Sequence, residues 1–403
     1  MTRPAAAGGG PRLLRARGIR SARVTNTQLF FDLVYVFAIT QLTHLLLGRL
    51  SWLGAGQALM LLLAVWWAWM YTAWVTNWFD PDAGPVRAML LAVMLVSLIM
   101  SATLPAAFGG RGLAFACAYV VMQVGRTVFV VAAARDQRAL RRNFQRILAW
   151  SAVAGAGWLC GGFAHGWARD AIWLAALAVD YASAAAGFYT PGLGRSQTTD
   201  WTIAGSHLAE RCQLFLIIVL GESVLDTGAA FGGLRITVAS TTAVVFAFLA
   251  SVALWWIYFN RAADDSAAAI AAAADPGRLG RSAYVYFHLP MVAGVIVLAV
   301  ADDLAIAHPG GHARGALTAA VLGGPALFLA GHALFKRAMF GVLATPRLAA
   351  IAVLAALIPA GAVAPPLALL GAATAVVAAV AVWDTVVPHP AGPGSPARAG
   401  QAG

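Results

Sequence analysis

The 403-residue chain is 61% hydrophobic and only 11% charged, against about 25% charged residues in an average soluble domain, which excludes a water-soluble core wrapped in a polar shell. Most of the chain must sit in lipid. A formal net charge of +11 invites a nucleic-acid reading, but the basic residues are distributed as in a membrane protein.

Runs of about twenty apolar residues predict helices at 29–48, 53–75, 86–108, 112–134, 145–166, 171–190, 203–225, 237–259, 283–302, 316–335, 347–365 and 366–387. The fold class is therefore an all-α polytopic membrane protein of about twelve transmembrane helices, the last two divided only by Pro365 and Pro366. The expected organisation is a basic cytoplasmic arm at 1–27, a first transmembrane half at 28–195, a second half at 196–388 and a disordered cytoplasmic tail at 389–403. The arm runs directly into a first span that is too long for a signal peptide's apolar region and lacks a small-residue cleavage site, so this span is expected to stay.

The basic residues orient these spans. With the N-terminus inside, the inner side holds Arg87, Arg135, Arg138, Arg141, Arg142, Arg146, Arg195, Arg261, Arg278, Arg281, Lys336, Arg337 and Arg347, beside the arginines of the arm and Arg398 of the tail. The outer loops hold only Arg49, Arg111, Arg169, Arg235 and Arg314, while Arg126 and Arg211 fall within spans. This asymmetry predicts a multi-pass membrane protein with both termini cytoplasmic. Its partner is the lipid bilayer, on whose anionic headgroups the arm can rest at ~1 kcal/mol per basic residue, and no nucleic-acid partner is expected. Cys117, Cys160 and Cys212 are isolated within spans, so neither a disulfide frame nor a zinc site is expected, and no cofactor.

Short internal matches suggest a repeat. Leu-Phe-Phe at 29–31 corresponds to Leu-Phe-Leu at 214–216, and Trp-x-Tyr at 69–71 to Trp-x-Tyr at 256–258, at nearly the same spacing. Span one then matches span seven and span two matches span eight. Six spans per half is an even number, so the halves would be parallel repeats about an axis along the membrane normal, as in many transporters.

The seventh span, HLAERCQLFLIIVLGESVL from His207 to Leu225, carries a histidine, two glutamates and an arginine in an otherwise apolar run. At about 100° per residue, Arg211 lies about 40° round from His207, Glu222 about 60°, and Glu210 about 60° the other way, so all four share one face. Ionisable groups within spans are costly and normally face a bundle interior or a wet cavity. Asp32, on one face with Gln28 and Tyr35 in span one, Arg126 in span four and Asp180 in span six extend the set. The expected intramembrane polar network is Asp32, Tyr35, Arg126, Asp180, His207, Glu210, Arg211, Glu222 and Ser223, with Arg126 as the cation of a carboxylate. Four acids against two arginines leave acid in excess, which is raw material for proton coupling, whereas intrahelical bracing and helix-clamping ion pairs are the structural alternative. His288 and His332, single histidines near helix ends, are expected to be satisfied polar groups rather than metal ligands.

TQLFFDLVYVFAITQLTHLL in span one, WWAWMYTAWVTNWFDPDAGPVR in and after span two, and the His-x-x-Glu-Arg and Leu-Gly-Glu-Ser motifs of span seven resemble the bacterial low-temperature-requirement A (LtrA) family. The resemblance is specific from about Thr27 to Trp256; beyond that it rests mainly on hydropathy. It implies a bacterial inner-membrane protein linked to growth in the cold, a phenotype rather than a chemistry. No H-E-x-x-H, G-x-S-x-G or Walker A sequence is present, the one lysine being Lys336, so no enzyme is expected. The residues themselves point to a secondary transporter of a small solute using intramembrane carboxylates for proton coupling, with a non-transporting membrane sensor or bilayer-organising protein as the alternative.

Overall fold

The computed structural model describes residues 13–15, 24–197, 204–234, 236–260, 266, 269, 270, 273, 275–313 and 315–387. Each predicted span coincides with a helix: α1 Asn26–Leu47, α2 Trp52–Trp78, α3 Gly84–Thr103, α4 Gly112–Ala133, α5 Arg138–Phe163, α6 Trp167–Ala185, α7 Gly205–Gly232, α8 Val238–Phe259, α9 His288–Ala307, α10 Gly315–Phe340, α11 Thr345–Ala356 and α12 Pro366–Val386. Among the described residues ten helical stretches are long and apolar enough to cross a membrane; α5 and α6 are not among them. Their sequences explain why. Arg138, Arg141, Arg142 and Arg146 lie on α5, and Arg169, Asp170 and Asp180 on α6. The first three of these arginines, with Arg169, were expected in loops. The tail at 389–403 and most of the basic arm lie outside the described residues.

Several boundaries follow from local chemistry. Thr25 caps α1 in a reciprocal box with Gln28, Ser51 caps α2, and Thr237 caps α8 in a box with Ser240. A π-helical segment, Gly280–Tyr286, leads into α9 and lengthens that apolar stretch to Gly277–Ala307. Near the other end, α11 tightens into a 3-10 turn at Ile358–Ala362, and Pro366 then starts α12 as a separate helix.

The chain divides into two compact units, Met1–Ile218 and Val219–Gly403. In the first unit, α3 packs against α1 and α4, α4 against α5, and α5 against α6. The most enclosed of the ten stretches is α2, 78% buried. Trp158 and Trp173 lie 5.4 Å apart, and Trp173 packs so closely on α5 that a Cβ at Gly161 would sit 2.3 Å from its ring. Arg169 donates to the carbonyls of Gly161, Gly162, Ala164, Ala107 and Gly109, closing two helix ends whose last carbonyls lack intrahelical donors. Part of the N-terminal arm is pinned on protein: Arg15 N–H donates to Trp78 O (2.9 Å), and Asp80 N–H to Leu13 O (2.9 Å).

In the second unit, α9 and α10 approach at glycines. A Cβ at Gly294 would lie 2.6 Å from Gly324 O, and one at Gly331 would lie 2.9 Å from Met291 N. Lipid offers no hydrophobic drive to join helices, so close backbone approach through small residues replaces it. α8 packs against α12, and α11 against α10. Both units turn apolar side chains outward, including Leu95 (60% exposed), Phe163 (69%) and Leu225 (67%), a surface suited to lipid rather than water.

Candidate functional site

The expected network is not one cluster. In the first unit the structure builds two polar groups, both resting on α2. The first joins α1, α2 and the start of α7. Arg211 Nη2 donates to Asp32 Oδ1 at 2.5 Å, with side-chain exposures of 1% and 0%. Trp69 Nε1 donates to the same oxygen at 2.7 Å. The guanidinium is sandwiched by the rings of Phe31 and Trp69, each centred 5.6 Å from Cζ. One turn away, His207 lies between the amides of Gln28 (3.0 Å) and Asn77 (3.4 Å). Asn77 in turn holds the backbone of Ala204 just before α7, accepting from its N–H at 2.7 Å and donating to its carbonyl at 3.1 Å.

Glu210 points elsewhere, accepting from Val24 N–H at 3.2 Å at the entry to α1. Arg15 also lies at this end, where burial lowers its guanidinium pKa while Asp80 and Glu210 pull it back up. Asn77 was read as a loop residue, and its place on the last turn of α2 is what makes it a partner of His207.

The second group joins α4 and α6 to α2. Asp180 Oδ2 accepts from Tyr119 Oη (3.2 Å) and Trp158 Nε1 (3.1 Å). Gln123 Nε2 donates to Tyr119 Oη (3.2 Å), and Arg126 Nη2 donates to Gln123 Oε1 (2.5 Å). Arg126 Nη1 completes the chain on Ala68 O (3.0 Å) and Thr72 Oγ1 (2.9 Å). Arg126 therefore forms no salt bridge among the described residues, contrary to expectation; neutral oxygens and the ring of Tyr71, 5.2 Å away, surround it. Tyr119, Gln123 and Arg126 recur at helical spacing on α4, a signal the sequence carried and the reading passed over. Tyr35 joins neither group: it accepts from Ser97 Oγ (3.3 Å) and contacts Met122 Sδ (3.4 Å).

Glu222 and Ser223 lie on the part of α7 that belongs to the second unit, both buried. Ser223 Oγ has no hydrogen-bond partner among the described residues.

The second unit holds a buried polar group of its own that sequence reasoning missed. Both terminal nitrogens of Arg347 engage the carboxylate of Asp384, Nη1 to Oδ1 at 2.7 Å and Nη2 to Oδ2. Arg347 Nε donates to His332 Nδ1 at 3.1 Å, which assigns the ring proton to Nε2. His288, whose Nδ1 faces Ala283 O at 3.0 Å, takes the hydroxyl of Tyr258 at Nε2 (2.7 Å). Arg347 had read only as an inner-side charge at the start of span 347–365, because in the first turn of α11 no periodicity shows it inward.

Completeness distinguishes the buried arginines. Arg347, Arg146 and Arg169 use all three nitrogens as donors, and Arg126 uses two, its Nε having no partner among the described residues. Arg211 uses one, and among the described residues its Nε and Nη1 have no partners and Asp32 Oδ2 is likewise unpartnered. Buried polar atoms are normally satisfied. This site thus has two unused donors and one unused acceptor between two aromatic rings.

No solved structure matches the chain. A protein of Rhizobium meliloti (strain 1021) described as "Uncharacterized protein RA0937" is 37% identical over 332 residues, covering 82% of this chain and 81% of that one. The profile of the bacterial low temperature requirement A protein (LtrA) matches residues 23–382. With that match spanning almost all of the helical chain, the protein belongs to the LtrA family.

Proposed function

We propose that this LtrA-family protein is a secondary transporter of the bacterial inner membrane that binds a small polar solute at the Asp32–Arg211 pair and couples its movement to protons through intramembrane carboxylates. One observation carries the reading: Arg211 is buried, yet among the described residues only one of its three nitrogens is engaged. A guanidinium presents its donors in a fixed fork suited to carboxylate-like or amide-like groups. The rings of Phe31 and Trp69 lie against it, so its surroundings are mostly apolar with few polar groups, the usual composition of a small-molecule site. Cytoplasmic termini and twelve crossings belong to the same proposal and rest on the arginine asymmetry.

A second reading has its own support. Asp180, Tyr119, Gln123 and Arg126 form a continuous hydrogen-bonded chain that ties α6 and α4 to α2, as expected of a non-transporting bilayer-organising protein. Purified protein reconstituted in vesicles separates the two. In the transporter reading, a panel of small acids, amides and amines includes at least one that elicits proton uptake, and Arg211→Lys, which keeps the charge but loses the fork, weakens it. Absence of flux for every solute, with wild-type stability and thermal response to lipid intact, favours the scaffold.

A further inference from the structure

Asp302 lies five residues before the end of α9 and is fully buried, and neither carboxylate oxygen has a hydrogen-bond partner among the described residues. It is distinct from both groups of the first unit and from the Arg347–Asp384 pair. Its surroundings offer acceptors. The glycine contacts fix the antiparallel register of α9 and α10: Gly331 lies against Met291, and Gly324 against Gly294 and Leu298. Continued for less than two turns, this register carries Asp302 to the level of Thr318 and Val321. Pro325 sits inside α10 and has no N–H, so the carbonyl of Val321, four residues earlier, loses its intrahelical donor. The hydroxyl of Thr318 lies against Gly361 at this same level. A carboxylate and a released carbonyl at the same level of two adjacent helices in a membrane interior are both acceptors, and what such a set lacks is a positive ion.

The charged groups nearby do not supply one. Asp303 is adjacent on α9 and is itself an acid. α8 carries no titratable group but Tyr258, and α10 carries His332, Lys336 and Arg337 at the opposite end. α11 carries Arg347 and α12 carries Asp384, both at that same opposite end. The second unit's segment of α7 adds only Glu222 and Asp226. His308 and His312 follow α9, and Arg314, next in sequence, lies outside the described residues.

We propose that Asp302 is a binding site for a small monovalent cation, a proton or sodium, completed by the Val321 carbonyl freed by Pro325. This site does not depend on the transport reading, because it is tested by binding rather than by flux. Purified full-length protein is melted with sodium replacing N-methylglucamine at constant chloride, and separately across a pH series. Sodium binding raises the melting temperature with concentration, as any ligand of the native state does. Proton binding makes stability fall as pH rises, because the folded chain then holds a proton that the unfolded chain has released. Asp302→Asn places an amide donor among the acceptors and should abolish whichever response the wild type shows. A second measurement needs no variant: dicyclohexylcarbodiimide reacts with protonated carboxyls in apolar surroundings, so mass spectrometry of the wild type should find Asp302 modified, with sodium protecting it if sodium binds. A sodium response lost in Asp302→Asn identifies a sodium site, and a pH response alone lost in it identifies a proton site. Three results overturn the proposal: no response to either ion together with no labelling, a response unchanged in Asp302→Asn, or equal destabilisation by Arg314→Gln and Asp302→Asn without ion dependence, which means an ordinary ion pair.

Discussion

Replacing Asp32 by alanine leaves the Arg211 guanidinium in the first unit without its one hydrogen-bonded partner. The pair is essentially inaccessible, at 0% and 1% exposure, so water cannot take over the lost contact. Nor can neighbours: Nε and Nη1 already have no partners, and the rings of Phe31 and Trp69 at 5.6 Å offer only their faces. Removing one member of a buried pair costs ~3–5 kcal/mol because the other charge is stranded, and loss of the Trp69 acceptor adds about 1 kcal/mol. Against a typical total stability of ~5–15 kcal/mol, this is enough to lower the yield of folded protein sharply. The double variant Asp32→Leu/Arg211→Met removes both charges, and apolar replacement of a whole buried pair is often neutral or better. Unfolding in mixed micelles, followed by tryptophan fluorescence, should therefore place the double variant closer to wild type than either Asp32→Ala or Arg211→Met alone. Single-variant losses below about 0.5 kcal/mol, or a double-variant loss equal to their sum, would refute the assignment of a dry, coupled pair.

Tyr119→Phe breaks the chain between Asp180 and Gln123 while Trp158 still holds the carboxylate, so a loss of ~1–3 kcal/mol is expected by the same unfolding assay. Gly324→Val should be severe, since its Cβ would lie 2.8 Å from Leu298 N on α9, whereas Gly323→Ala, with open space around it, should be nearly silent; thermal melts of the two proteins side by side check this contrast. Arg347→Ala removes the two-pronged hold on the buried Asp384 carboxylate and the donor to His332 in the second unit, with an expected loss of ~3–5 kcal/mol measured by denaturant unfolding.

The helices were legible because a bilayer demands apolar runs of fixed length, and that demand is written locally in composition, though α5 and α6 fall short of it. Their ends were less so. Arg138, Arg141 and Arg142 look like a loop by hydropathy, yet they continue α5 because arginine is a good helix former and its long stem can lie along the helix while the charge reaches outward. The Asp32–Arg211 pair was half legible: each residue stood out as a charge in an apolar span, but their pairing depends on how α1 and α7 pack, which no single-helix periodicity records. Asp180 was legible as an anomaly, while its partners Tyr119 and Trp158 were not, since an aromatic residue in a span reads the same whether its polar edge is used or idle. Asp302 escaped notice for a different reason. It closes the predicted span at 283–302 beside Asp303, where a pair of acids resembles the start of a loop; the continuation of α9 to Ala307 is what brings it inside.

The contrast between the buried arginines bears on what the protein does. A residue kept only to tie helices together gains most when every donor is engaged, because each idle buried donor costs ~1–3 kcal/mol that a small change of partner would recover. Arg169, Arg146 and Arg347 fit that description, each donating from all three nitrogens to carbonyls, side-chain oxygens or a ring nitrogen. Arg211 does not: it gives one hydrogen bond, keeps two nitrogens idle and lies between two aromatic rings in the span that carries the most ionisable residues. An arrangement that leaves donors idle is costly to a scaffold and useful to a binding site, because a ligand that satisfies them gains what the empty site forgoes. The same reasoning separates Asp302 from Asp384, two buried aspartates of the second unit, one held by both terminal nitrogens of an arginine and the other by no hydrogen-bond donor among the described residues.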